Sequence, residues 1–185
     1  IPLWMRLRWK VRWATHIARY KKEAAAIFVQ TEDVNQRLSR ILTEIPIYTI
    51  SNTYNNAYDL QKEYPNKLPS RTEGEIRLLT ISAYYKHKNF EIIPKTIEVL
   101  KSRGVTNVKF VVTLPKEQFK EAFGDNPSSN IINVGFVPTL EGASLYKECD
   151  FMFLPTLLEC FSASYAEAMV MKKPILTSDL GFAHT

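Results

Sequence analysis

Two cysteines, three histidines and six glycines are spread thinly over 185 residues. Cys149 and Cys160 share no CxxC spacing and have no histidine cluster beside them, so neither a disulfide framework nor a zinc site is indicated, and a reducing cytoplasm fits. No stretch approaches the roughly 18 uninterrupted apolar residues that a membrane-spanning helix requires. The opening IPLWMRLRWKVRW is broken by Arg6, Arg8, Lys10 and Arg12, which removes the continuous apolar run of a signal peptide. Repeats and low-complexity tracts are missing too, which excludes collagen-like and disordered chains. What remains is ordinary globular composition, 45% hydrophobic and 23% charged. The length suits one domain, or one domain with part of another.

The net charge of +5 is unevenly placed. Seven of the 24 basic residues fall in residues 1–22 with no acid among them, so the rest of the chain, which carries all 19 acids, is slightly acidic. A basic segment bearing Trp4, Trp9 and Trp13 has the chemistry of a peripheral membrane contact through residues 4–13, with indoles at the headgroups and basic heads on phosphates. The alternative is a helix packed on a neighbouring domain with its charges solvated. Nucleic acid is not an expected partner, because the basic character does not continue along the chain.

Strand and helix patterns alternate. Ile27–Gln30 reads as a short strand, and Thr31 caps a helix whose first turn holds Glu32 and Asp33. Val34, Leu38, Ile41 and Leu42 recur at helical spacing, and Ile47–Ile50 reads as a second strand. Residues 51–75 turn to Asn, Tyr, Pro, Ser and charge without apolar period, as an interdomain linker would. Then come IRLLTIS as a strand buried on both faces, a helix over Phe90–Arg103 stopped by Gly104, and VKFVVTL as a strand. KEQFKEAF, LEGASLYKEC and SYAEAMVM read as helices, with IINVGFV, DFMFLPT and KPILTS as the intervening and final strands. Such alternation predicts an α/β fold with a parallel sheet.

Ligands of open parallel sheets sit beyond the carboxyl ends of the strands. The densest such junction is FMFLPTLLECFSASYAEAMVMKKPILTS. Glu159 lies in its loop and Glu167 on the following helix, and the small, polar CFSAS between them lets backbone N–H groups approach an anion. A phosphate at the helix start, with carboxylates accepting hydroxyl hydrogen bonds on either side, is what a sugar nucleotide demands. Both carboxylates are then expected to face one hollow beside Lys88. Two glutamates eight positions apart are also common on solvated loops and helices, and Lys88 alone could be a solvated lysine.

The same segment resembles the signature of retaining glycosyltransferases of family 4, in Pro155, Glu159, Phe161, Glu167, Ala168, Met169 and Pro174. The likeness extends upstream through RLLTISAYYKHKNFEII, NVGFV and LYKECDFMFLPT, and through IFVQTEDVNQRL and PIYTISN to about Arg19. It implies the GT-B arrangement: residues 1–50 as the end of an acceptor-side Rossmann-like domain, 51–75 as linker, and 76–185 as a nucleotide-sugar donor-binding domain, both domains incomplete. It implies a sugar transferred from a UDP- or GDP-linked donor to a glycan or lipid-linked acceptor with retention, without metal or other cofactor; the chain also lacks an Asp-x-Asp motif. By the same resemblance, Lys88 neutralises the donor diphosphate, Glu167 holds the ribose hydroxyls, and Glu159 meets the transferred sugar. Backbone groups around Phe161, Ser162 and Ala163 contact sugar and phosphate, and Phe136–Val137 flank the base.

The chain departs from the family pattern in places. Ser82 and Ala83 stand where many members have Gly-Arg, and Lys86 is the nearest candidate for the missing charge. CFS replaces the frequent GFG, and Cys160 lacks a paired histidine for a nucleophilic role. Neither the early glycine-rich loop nor the closing segment of the second half is present, so the sequence reads as a fragment that binds donor weakly and transfers little alone. A sugar-nucleotide epimerase on the same architecture and a non-catalytic nucleotide-binding module are the competing readings, because fold alone does not separate them.

Overall fold

The computed structural model describes residues 2–60 and 62–184 and divides them into two compact units, one comprising the residues up to Asn52 with His184, the other Thr53–Ala183. The first unit opens with a long helix, α1 (Leu3–Glu23), none of whose residues is buried. Two short strands, β1 (Ile27–Val29) and β2 (Ile47–Thr49), then pair in parallel, with Ile27 opposite Ile47. Between them lies α2 (Glu32–Ser39). Thr31 caps it as expected, its hydroxyl accepting from Val34 N at 3.4 Å. Asn35 fastens α2 to β2 by donating to the Ile47 carbonyl and the Thr49 hydroxyl.

In the second unit a four-residue helix, α3 (Ala57–Leu60), precedes the first strand of the main sheet, β3 (Ile76–Thr80). The chain continues through α4 (Ile92–Ser102), β4 (Val108–Val112), α5 (Lys116–Phe123) and β5 (Ile131–Asn133). It then runs through α6 (Thr139–Lys147), β6 (Phe151–Leu154), α7 (Ala163–Val170) and β7 (Ile175–Thr177). The five strands are all parallel, in the order β5-β4-β3-β6-β7. This is the Rossmann-like sheet the alternation predicts.

Helices cover both faces of the sheet, so its central strands read as apolar runs. Side chains alternate across a strand. Leu79 and Val111 point to one face, into a core with Leu145, Tyr146, Met152 and Leu154. Leu78, Phe110 and Val112 point to the other, with Phe90, Ile93 and Ile97. Each fully buried Leu or Val contributes about 1.5–3 kcal/mol.

Two expectations change in detail. The stretch IINVGFV is strand only as far as Asn133. There the side chain leaves the ladder, accepting from Leu114 N at 3.0 Å and donating to Leu114 O at 2.8 Å, and Gly135 turns the chain at φ +74°. The asparagine side chain satisfies the backbone of the loop after β4, and glycine takes that φ without strain. The second concerns residues 51–75, read as an interdomain linker: from Thr53 on they belong to the second unit. Ala57, Tyr58 and Leu68 are buried, and the Glu148 carboxylate accepts from the backbone N–H of both Lys67 and Leu68 at 3.0 and 2.9 Å. Arg71 reaches Asp150 at 2.7 Å, and Tyr64 N donates to the Ser144 hydroxyl.

Candidate functional site

From β3 the chain moves outward through β4 to β5, then returns to lay β6 on the opposite side of β3. The reversal makes the β3/β6 boundary the topological switch point, and the loops beyond the carboxyl ends of those two strands flank a crevice there. The loop after β3 carries a single 3-10 turn over Lys86–Lys88, closed by Asn89 in the left-handed conformation at φ 57°. Asparagine tolerates that conformation better than most residues. Its side-chain amide donates to the Pro155 carbonyl at 3.1 Å. The Thr156 hydroxyl and Leu157 N both donate to the His87 carbonyl, at 3.1 and 2.7 Å. Three hydrogen bonds thus fasten the loop after β3 to the loop after β6.

That fastening brings Lys88 and Glu159 together across 71 residues of sequence: Lys88 Nζ stands 2.5 Å from Glu159 Oε1. Their side chains are only 15% and 10% exposed. Charges so withdrawn from water need partners, and here each supplies the other's.

A cavity of about 330 Å³ has walls from α3, from the loops after β3, β4 and β5 and from α7. Glu167, Phe136 and Val137 line it together with Tyr58, Ser82, Ala83, Thr113 and Ser164. Phe136 is exposed and Val137 buried, an apolar rim with a firm seat. Burial pushes the Glu167 carboxyl above its ordinary value. Glu167 lines this cavity, whereas Glu159 pairs with Lys88 and neither of those two is among its lining residues. The physical reason is that each nearly buried charge costs less beside its opposite than beside a second carboxylate.

Phe161 and the buried Ser162 lead into α7, which starts at Ala163. Ser162 occupies the N-cap position; its side chain makes no cap hydrogen bond, while its carbonyl accepts from Tyr165 N at 3.1 Å. The Ser164 hydroxyl donates to Ile81 O, tying the helix start to the loop after β3.

Lys86, the nearest candidate for the missing charge, is engaged elsewhere. Its ammonium bonds the Tyr84 hydroxyl at 2.6 Å and Glu91 at 3.0 Å, with Glu121 at 3.7 Å, and the residue does not line the cavity. Ser82 and Ala83 do line it, where the expected charge would have stood. Cys149 is buried, which pushes its thiol up to about 12, and Cys160 is exposed. Among the described residues, no group of three or more His, Cys, Asp or Glu could hold a metal ion, and no helix is long and apolar enough to cross a membrane.

Sequence reasoning missed Tyr58, Asn89 and Thr156. For Asn89 a local signal existed, since asparagine after a short basic turn suits a left-handed stop.

Residues 75–185 match the family described as "Glycosyl transferases group 1". No curated protein matches the chain. Among solved structures, TarM aligns with a TM-score of 0.63 at 20% identity, over 91% of this chain and 32% of TarM. WaaG, a glycosyltransferase involved in lipopolysaccharide biosynthesis, aligns with a TM-score of 0.60 at 16% identity, over 85% of this chain and 45% of WaaG. The pneumococcal O-GlcNAc transferase GtfA, solved in complex with UDP and GlcNAc, aligns with a TM-score of 0.59 at 15% identity, over 85% of this chain and 31% of GtfA. The chain therefore spans between about a third and somewhat under half the length of these proteins.

Proposed function

The chain belongs to the group 1 glycosyl transferases, and from that footing we propose that Thr53–Ala183 binds a nucleotide-sugar donor at the carboxyl edge of its sheet. The whole protein would then pass the sugar to a glycan or lipid-linked saccharide with retention at the anomeric carbon. One observation carries the reading. A lysine and the Glu167 cavity lie at the carboxyl ends of the strands, around the switch point where an open parallel sheet takes a ligand. UDP in the structure of GtfA supports the class of donor.

In this reading the base lies against Phe136 and Val137 while Glu167 accepts the ribose hydroxyls. The diphosphate meets the α7 start around Phe161, Ser162 and Ala163, where backbone N–H groups and the helix dipole favour an anion. Lys88 adds a full positive charge for the departing diphosphate, and because it is held in advance by the loop-to-loop bonds it needs little rearrangement as charge develops. Its present partner, Glu159, is released toward the hydroxyls of the transferred sugar as the diphosphate takes over the ammonium. The intact protein, given nucleotide sugar and acceptor, should form product with the donor's anomeric configuration, read by proton NMR, and Glu167→Ala should lower kcat/KM by about 100-fold, since charged hydrogen-bond partners are worth roughly 1.5–3 kcal/mol each. An inverted product would remove retention from the reading. Conversion of donor to its epimer without acceptor would replace transfer altogether.

The finer part of the proposal concerns where the acceptor is met. Helix α1 carries Trp4, Trp9 and Trp13 at 62%, 55% and 53% exposure among Arg6, Arg8, Lys10 and Arg12. A peripheral contact with an anionic membrane surface through residues 4–13 suits a lipid-linked acceptor. Cosedimentation with anionic vesicles should disappear when the four basic residues are neutralised together, and pelleting that does not change would reject the contact.

A further inference from the structure

We propose that Asn89 is a positioning residue for Lys88: its left-handed backbone and its side-chain amide together fix the direction in which the ammonium reaches a donor diphosphate. The inference rests on the donor-site reading above and names the residue that decides whether that charge is in place.

Lys88 has no long element to hold it. It ends a 3-10 turn of three residues, none of them buried, and its side chain is a flexible four-carbon stem. Its direction is set by the residues on either side. Before it, the His87 carbonyl accepts from the Thr156 hydroxyl at 3.1 Å and from Leu157 N at 2.7 Å. After it, the Asn89 amide donates to the Pro155 carbonyl at 3.1 Å. The three partners are consecutive residues, Pro155–Leu157, of the loop that goes on to Glu159. Both flanks of Lys88 are therefore tied to the loop that supplies its ionic partner.

Asn89 also ties the turn to the core. At φ 57° and ψ 39° it redirects the chain, so that its carbonyl accepts from Ile92 N at 3.2 Å and the next residue, Phe90, is fully buried with Leu78, Ile93 and Phe110. Few side chains serve both ends. Glycine takes that φ but brings no donor, alanine or leucine is strained there, and aspartate would set a carboxylate against the Pro155 carbonyl. Ser82 and Ala83 carry no charge, and Lys86 is bound to Tyr84 and Glu91, so the diphosphate depends on Lys88 for its cationic side chain. A charge that must act without rearrangement is only as good as the geometry that holds it.

The test uses the whole chain and the variant Asn89→Gly, which keeps the left-handed backbone and removes the amide. The probes are UDP and uridine, which shares the base and ribose but has no diphosphate, each titrated by amide shifts. Asn89→Gly should weaken UDP binding about threefold to tenfold, in the range of one hydrogen bond, and leave uridine binding unchanged, whereas a general loss of structure would weaken both. In a Lys88→Ala background the same substitution should cost nothing further, because the two residues act through one interaction. Read without ligand, the Lys88 ammonium protons should exchange faster with water in Asn89→Gly, as the nearly buried pair with Glu159 loosens. Unchanged UDP affinity, equal losses for UDP and uridine, or the same further loss without Lys88 would overturn the proposal. If the unmutated chain binds none of UDP, GDP and ADP, the donor-site reading fails, and the ammonium exchange still decides whether Asn89 positions Lys88.

Discussion

Lys86 and Lys88 differ by two positions and meet opposite fates. The 3-10 turn sends Lys86 outward to Tyr84 and Glu91, and sends Lys88 inward to Glu159. Sequence could nominate both lysines, but only the loop-to-loop bonds from Asn89, Thr156 and Leu157 decide between them. Glu167 is the residue whose chemistry is most exposed to pH. Burial raises its carboxyl above 4.5. A carboxyl group accepts two ribose hydroxyls only when ionised, so UDP-glucose affinity is expected to fall as pH drops through the raised value, at less acid pH than an ordinary glutamate would dictate. In the free chain the folded state holds this proton more tightly than the unfolded state. Its contribution to stability is therefore fully present below 4.5 and is lost as pH rises through the folded value. Calorimetry across the acid-to-neutral range should show the affinity step in the unmutated chain and none in Glu167→Gln; the same step in both would assign the titration elsewhere. Glu159, Lys88 and Glu167 were legible as residue types at a strand-to-helix junction. Tyr58 was not, because its place in the cavity wall depends on the missing Cβ at Gly142, more than 80 residues away.

At the scale of elements, the ends matter more than the middles. The apolar runs of β3 and β4 and the stripe of α4 could be read directly, since burial on both faces or on one leaves a plain periodicity. The end of β5 was harder to read, because Asn133 at its end bonds the loop after β4, a partner about 20 residues away, before Gly135 turns the chain. That early stop frees Phe136 and Val137 to reach the cavity. Residues 51–75 lacked apolar period for a similar reason. They are held largely by backbone N–H groups on acids of the domain, Glu148 above all, and polar capture of this kind leaves no pattern in the segment itself. Glu148→Ala should therefore destabilise the chain by about 1–3 kcal/mol, the cost of leaving two backbone donors without their charged acceptor. It should also speed amide exchange at Lys67 and Leu68 more than in the strands. Exchange rates there equal to those of the unmutated chain would show that the carboxylate does not hold the segment.

Over the whole molecule, the order of strands does what no single residue can. A sheet that runs outward and then returns leaves a crevice at its reversal, and the family match over residues 75–185 takes in the loops around it. Composition and alternation were enough to foresee the parallel sheet. They could not foresee that the site would divide into an ion pair, Lys88 with Glu159, and a separate cavity around Glu167, because that division depends on how two nearly buried charges neutralise each other. The central claim is that a nucleoside diphosphate is held at this edge. Amide shift mapping of the isotopically labelled chain titrated with UDP tests it most directly. The account predicts perturbations at Ser82, Ala83, Lys88, Thr113, Phe136, Val137 and the Ser162–Glu167 turn; shifts absent from these residues, or confined to the outer face of α4 and α5, would contradict it.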